Sequence, residues 1–540
     1  MYSLSKYFFN KVVLLLFLVS SMAVSCTKQL DIESTEAASS INMWQSYDDA
    51  KSALAGLYGL ARAALANNNA HWLYGDLRMA DFATPRSGSY IEAIIRNRLN
   101  EDLPGMEDLK DWRRFYAAID ACNTFIEKSG GCLQDTRYSA LYHKVDVAQA
   151  HVLRAFLYLY ISRIWGDVPL VTSATTEGLN TNLTRTPQRQ VLDFCINDVK
   201  FYLDSLPTEY GGTDQSKLKF SGPYYGKTWA QIGNFYWGYW QGMTVLAQIY
   251  AWMGDYERLE PVARKIWDNL AQARTQLVGY QNATNYLTGN NSIFYGNGVI
   301  GSYCYQLLSL SYNMDNKESG PSGVGHMESL TLANPYVPRQ KPDIYVPRDT
   351  IDRLFYSITD LRHPYQSAAS SYQSVYFTNY YASIPILSKF KTFAPAANGF
   401  SIYGSCIPLA RAEDICLLLA ECYLYNGTVG NAQGFLENIR LQRFTNGFAN
   451  NLRPLGSGGP VYIPTERSRE NGLLWNIFRE RRIELMGEGY AWYDLIRYKK
   501  YLANDYEFNK LVEQGGIYWP VSQRVLDNNP LIEQNSYWKR

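Results

Sequence analysis

Glu480 and Glu484 stand four residues apart in "RERRIELMGEGY", a spacing that sets both carboxylates on one face of a helix. Two carboxylates flanking a bond are the machinery of glycoside hydrolysis, but they must face each other across a cleft. Arg481 and Arg482, beside them, would instead keep both acids ionised. The pattern therefore predicts an ion-pair network that fixes the last helices. "GNGVIG", residues 296–301, satisfies a dinucleotide-loop pattern, yet "SYCYQLL" follows where a small-residue helix should open, so a loop is expected there. The histidines, at 71, 143, 151, 326 and 363, form no metal-spaced pair, and neither a nucleophile elbow nor a phosphate loop occurs. No catalytic residue, metal ligand or cofactor is expected.

Cys26 carries a different chemistry. Lys6 and Lys11 precede the apolar run "VVLLLFLV", and small residues follow it, which is the pattern of an export signal over residues 1–25. A spanning helix needs roughly 20 apolar residues, and Ser20 and Ser21 interrupt this run. "AVSC" resembles a bacterial lipobox, in which the cysteine is acylated and becomes the new N-terminus. Each buried CH₂ of an acyl chain contributes about 0.8 kcal/mol, so several chains would hold Cys26 in a leaflet. Residues 26–40, "CTKQLDIESTEAASS", are poor in large apolar side chains and read as a flexible tether. The seven other cysteines are scattered without CxxC pairs; buried thiols are expected, with Cys122 and Cys132 the one pair placed for a bridge.

The elements that must position any site are helices. Apolar residues recur at three- and four-residue spacing over 47–65, 110–128, 137–165, 187–206, 235–253, 409–425, 431–443 and 470–499. They fall in neighbouring pairs, which predicts stacked helical hairpins in a mainly α protein. Thr186 and Pro187 read as an N-cap and first helical residue, and Gly166 and Gly427 as helix ends. Residues 280–405 differ, being rich in Asn, Gly, Ser, Pro and Tyr. They are too long for a connector and are expected to form an irregular insertion of loops and short strands, "SIFYG" and "YVPRDTIDRLF" among them, where binding function tends to sit. The 51 Lys and Arg balance 50 Asp and Glu, which excludes an electrostatic nucleic-acid binder. The 44 Tyr and 13 Trp supply aromatic faces for cores and for flat partners.

"RAFLYLYISRIWGDVPLVT", residues 154–172, and "RERRIELMGEGYAWYDLIRYKK", residues 479–500, resemble the signature helices of the SusD/RagB-like outer-membrane lipoproteins. "IPLARAEDICLLLAECYLYNG" at 407–427, "NSIF" at 291–294 and "YWPVSQRVLDNNPLIEQNSYW" at 518–538 support the resemblance. It implies one domain over residues 41–540: a scaffold of four TPR-like helix pairs (41–279 and 406–540) around the insertion (280–405). It further implies a lipid-anchored binder, not an enzyme, on the outer face of the outer membrane, closing over a SusC-like TonB-dependent transporter barrel and delivering an oligosaccharide. The alternative is a helical-repeat lipoprotein whose partner is a protein of envelope assembly or adhesion. Sugar rings stack on aromatic side chains while their hydroxyls need polar partners. The family's binding loops lie after the first helix and within the insertion. "HWLYGDLRMADFATPRSGSY" there supplies Trp72, Asp81, Arg86 and Tyr90, and the insertion supplies Tyr295, Tyr303, Tyr312 and Tyr336.

Overall fold

The computed structural model describes residues 43–539 apart from 176–182, 212–221, 280–292, 295–298, 301–302, 313–324, 356, 358–359, 364–375, 392, 396–400 and 445–471. The export signal, Cys26 and the tether lie outside the described residues. The longer helices are α1 (Tyr47–Ala66), α2 (Arg113–Lys128), α3 (Ala140–Trp165), α4 (Gln188–Tyr202), α5 (Tyr239–Met253), α6 (Tyr256–Trp267), α7 (Ala412–Tyr425), α8 (Val429–Leu441), α9 (Leu473–Glu484) and α10 (Ala491–Arg497).

α1 packs on α2, α3 on α4, α5 on α6 and α7 on α8, and each pair also packs on the next through α2/α3, α4/α5 and α6/α7. This is the helix-pair scaffold the sequence predicts. α1 begins at Ser46, whose side chain accepts from the Asp49 N–H while Asp49 bonds back to the cap, satisfying two helix-end donors at once. Its core stripe of Ala50, Leu54, Leu57, Ala61 and Leu65 follows the helical period. α3 is buried on nearly every face from Val145 to Trp165 and ends at Gly166, whose φ of 78° suits glycine. No described helix is long and apolar enough to cross a membrane.

Several expectations change. α6 was not among the predicted segments: "YERLEPVARKIW" carries Pro261 and five charges, which hide a narrow stripe of Tyr256, Leu259, Ala263 and Ile266. Asp255, whose side chain accepts from the Arg258 N–H, is its start signal. The expected helix over 470–499 is two, because Gly487 and Gly489 adopt φ of 77° and 83° between α9 and α10. Pro187 occupies the cap of α4 rather than its first turn. Residues 348–354, expected as strand, form a short helix after Pro347, with Asp349 in its first turn and Arg353 in its last. Cys122 and Cys132 are unbridged and buried, and burial pushes their thiols up to about 12 and about 11.

The strands are short: β1 (Val299–Ile300), β2 (Tyr303–Cys304), β3 (Gln306–Leu310), β4 (Phe377–Thr378), β5 (Ile386–Leu387), β6 (Phe393–Pro395), β7 (Ser401–Tyr403) and β8 (Ile407–Arg411). β3 pairs antiparallel with β8, so the chain leaves the scaffold and returns to it through one two-stranded neck. β1 with β2, β4 with β5, and β6 with β7 make local antiparallel pairs within the insertion. Of "GNGVIG", only Val299 and Ile300 are described, as β1.

Behind the neck lies a buried field of ion pairs. Arg411, at the end of β8, reaches Glu413 (2.7 Å), Glu484 (2.8 Å) and Glu488 (2.9 Å). Arg362 from the insertion reaches Glu480 (2.8 Å) and Glu484 (3.0 Å), and Lys389 reaches Glu488 (2.6 Å). Burial would raise the pKa of Glu480 and Glu484, but the surrounding arginines outweigh it and hold both below the ordinary carboxylate range. Both acids are buried. They lock the insertion to the terminal helices and have no cleft to serve.

Candidate ligand-binding face

The loop after the first helices is held from below. Asp76 accepts from the Gly489 N–H at 2.8 Å, and Arg78 lies 4.1 Å over the Trp492 ring while donating to the Gly516 carbonyl. Asp81 is 2 % exposed and is held by Arg482 of α9 through both carboxylate oxygens. Trp72 has no exposed surface. In this conformation neither presents a face to a ligand: the loop is clamped beneath α9 and α10, and these two side chains form the clamp and the core under it.

Beyond Asp81 the loop rises to the surface and meets the insertion. Ala83 bridges Tyr345 through two backbone hydrogen bonds (2.8 and 2.9 Å), and Arg86, whose side chain is 57 % exposed, pairs with Asp343 at 2.5 Å. Tyr90 opens the short helix Tyr90–Ile95 nearby; it is half-buried, and its hydroxyl pKa is raised by burial and by Asp343, against the pull of Arg86.

The insertion continues the same surface. Asp343 also pairs with Arg339 at 3.2 Å, and the Arg339 carbonyl accepts from the Asn334 N–H. Tyr336 is half-buried, shares a 2.6 Å hydrogen bond with Thr378 of β4, and has the Lys391 ammonium 5.7 Å from its ring centre. Tyr381, 38 % exposed, packs on Tyr380, with the Arg348 guanidinium 5.1 Å from both rings. Ion pairs thus join Arg86 to Asp343 and Asp343 to Arg339, while Tyr336 and Lys391 meet separately beside β4.

The structure therefore leaves Arg86 at the surface and Tyr90 and Tyr336 half-buried, and it buries Trp72, Asp81 and Tyr312. Tyr312 is buried against His326, with the Arg62 guanidinium 4.6 Å over its ring. Tyr295 and the side chain of Tyr303 lie outside the described residues; the Tyr303 backbone pairs with Ile300 in β2. Arg339, Asp343, Arg348, Tyr381 and Lys391, which lie beside the expected residues or beside one another, were not among those singled out from the sequence. The run "NPYVPRQKPDIY" at 334–345 was a readable signal for some of them, with three prolines spaced among two tyrosines and three charged residues. Among the described residues no cluster of His, Cys, Asp and Glu could hold a metal ion.

The sequence pattern of the SusD family matches residues 365–514, and a pattern described as starch-binding and associating with the outer membrane matches residues 25–221. A SusD superfamily protein of Bacteroides thetaiotaomicron, solved by crystallography, is 34% identical, covers 92% of this chain and 100% of its own, and superposes with a TM-score of 0.78. The chain belongs to the SusD/RagB family. A SusD-like protein of Formosa agariphila is 24% identical over 561 residues, spanning 98% of this chain and 99% of its own. A solved structure described as a laminarin-binding SusD-like protein shares the fold at 17% identity and a TM-score of 0.61, covering 91% of this chain and 99% of its own. In the SusD/RagB setting the four helix pairs are the scaffold, and the insertion that enters and leaves through the neck of β3 and β8 meets the loop carrying Arg86 at Ala83–Tyr345 and Arg86–Asp343.

Proposed function

We propose that this chain is a surface-exposed, lipid-anchored glycan-binding protein that captures an oligosaccharide and delivers it to a SusC-like TonB-dependent transporter in the outer membrane. The observation that carries the reading is that Tyr90, Tyr336 and Tyr381, none of them fully buried, each lie beside a cation, Arg86, Lys391 and Arg348 respectively, on the first loop and the insertion. Aromatic rings offer apolar faces to the C–H surfaces of sugar rings, and the neighbouring cations and amides offer donors to hydroxyls. The family membership and the laminarin-binding relative support the same class of ligand. The resemblance of "AVSC" to a lipobox supports an anchor at Cys26, ahead of the tether.

The test is affinity electrophoresis of the purified chain against laminarin, starch and a panel of plant and host glycans, repeated with Tyr336→Ala and Tyr381→Ala. Retardation by at least one glycan, weakened in both variants, is the expected result. Retardation by none, together with co-purification of a protein other than a transporter barrel from detergent extracts, would move the reading to the protein-partner alternative.

A further inference from the structure

Three of the polar groups left without partners in the described interior meet at one place. Among the described residues the Arg163 Nε, the Asp414 Oδ2 and the Tyr493 hydroxyl each lack a hydrogen-bond partner, and the three residues line one small, half-open cavity of about 20 Å³. Gln248, Arg481 and Arg497 complete its polar wall. The cavity lies where α3, α5, α7, α9 and α10 converge, at the junction of the two signature stretches.

We propose that this cavity is a built site for one structural water molecule. The orphaned groups are complementary: a guanidinium N–H that must donate, a carboxylate oxygen that must accept, and a hydroxyl that can do either. A water accepting from Arg163 and donating to Asp414 has its remaining valence matched to Tyr493. Such a water requires roughly 10–15 Å³ of room and two to four polar partners; the cavity, of about 20 Å³, has room for one.

Charge separates water from an ion. Arg163, Arg481 and Arg497 bring three positive charges to the junction. Arg481 pairs with Asp414 (2.7 Å) and Asp494 (3.0 Å), and Arg497 with Glu421 (2.9 Å) and Asp494 (2.8 Å), bringing three negative ones. An anion or a cation would unbalance a site that is already neutral, and a neutral occupant leaves it so. Arg163 itself has no carboxylate within ion-pair distance among the described residues. Its guanidinium lies 5.2 Å over the Tyr493 ring, and Nη2 makes one long bond, 3.4 Å, to Gln248. The water is the link through which Arg163, on the central buried helix α3, is joined to Asp414 and the terminal ion pairs.

The experiment is a crystal structure of the Cys26→Ala form of the chain at a resolution that shows ordered solvent, with a second crystal soaked in bromide. The expected result is one fully occupied solvent peak within about 2.7–3.2 Å of Arg163 Nε, Asp414 Oδ2 and Tyr493 Oη, with no anomalous bromide signal there. An empty cavity, direct bonds among the three side chains, or a bromide peak would each overturn the proposal. A thermal-melt cycle gives an independent readout: Arg163→Met and Tyr493→Phe should shift Tm by less together than the sum of their separate shifts, because either change alone already loosens the shared water. Strict additivity of the two shifts would count against the link, and if either variant does not fold the crystallographic result on the parent chain still decides.

Discussion

Arg482 and Asp81, 401 residues apart in the chain, form a buried two-armed ion pair that ties the first surface loop to the terminal signature helix. Removing one partner leaves the other as an uncompensated buried charge, which typically costs about 3–5 kcal/mol. Asp81→Ala should therefore lower the melting temperature by several degrees, and Arg482→Met should do the same. Glycan affinity measured well below the new melting temperature should stay close to that of the parent chain. A loss of affinity with no loss of stability would place Asp81 in contact with ligand instead.

Asp146 predicts a pH dependence of stability. It is buried in α3 and accepts from the hydroxyls of Tyr138, Tyr224 and Tyr225; among the described residues no cation pairs with it. Burial pushes its carboxyl up to about 7 against the opposing pull of the three hydroxyls. A folded-state pKa above the unfolded one means that the native state holds a proton the unfolded chain has released. Stability contributed by this group is thus present below about pH 4 and lost as pH rises towards 7, with a slope of about 1.4 kcal/mol per pH unit inside that window. Asp146→Asn should remove that component. Denaturant melts of both proteins at pH 4.5 and 7.5 check it, the variant gaining stability relative to the parent chain at the higher pH.

The helical scaffold was legible because burial of one helix face imposes a period on the sequence, which α1, α2 and α4 show over several turns, whereas α3 and α7, buried on nearly every face, were legible as long apolar stretches. α6 was not, since charges on its exposed face and Pro261 obscured a stripe of only four residues, Tyr256, Leu259, Ala263 and Ile266. Site residues were legible by type and not by orientation. "HWLYGDLRMADFATPRSGSY" reads as one polar, aromatic loop, yet Trp72 and Asp81 turn inwards and Arg86 outwards, a choice made by α9, α10 and the insertion rather than by neighbouring residues. Glu480 and Glu484 were correctly read as structural, because adjacent arginines are visible in sequence; that Arg362, Arg411 and Arg443 also converge on Glu484 was not.

Gly75 and Gly489 approach so closely that a Cβ on Gly75 would overlap the Gly489 carbonyl, and one on Gly489 would overlap the His71 ring. Gly489 also has a φ of 83°, a region that L side chains rarely adopt. Either Gly→Ala change must push α10 away from the helix Ala70–Gly75 or force a strained backbone, so each should destabilise by about 1–3 kcal/mol or more. Gly430→Ala is the control: it lies within α8 with open space around its Cα, and should leave stability equal or slightly raised. Urea midpoints of the three variants check the ordering.

The exposed pair of Arg86 and Asp343 behaves oppositely to the buried pair of Arg482 and Asp81. With the Arg86 side chain 57 % exposed, the pair contributes roughly 0–1 kcal/mol to folding, and Arg86→Ala should leave the melting temperature within about a degree. Its guanidinium, though paired with Asp343, is largely exposed beside Tyr90, and a sugar hydroxyl or carboxylate docked there would lose a charge-assisted hydrogen bond on its removal, worth about 1.5–3 kcal/mol. Arg86→Ala should therefore weaken glycan binding by about ten-fold or more at unchanged stability, and Asp343→Asn, which releases Arg86 from its partner, should change binding without destabilising the fold. Isothermal titration with whichever glycan retards the parent chain measures both. Equal affinity in both variants would shift the ligand towards Tyr336, Tyr381 and Lys391 on the insertion, where Tyr381→Ala would then carry the larger loss.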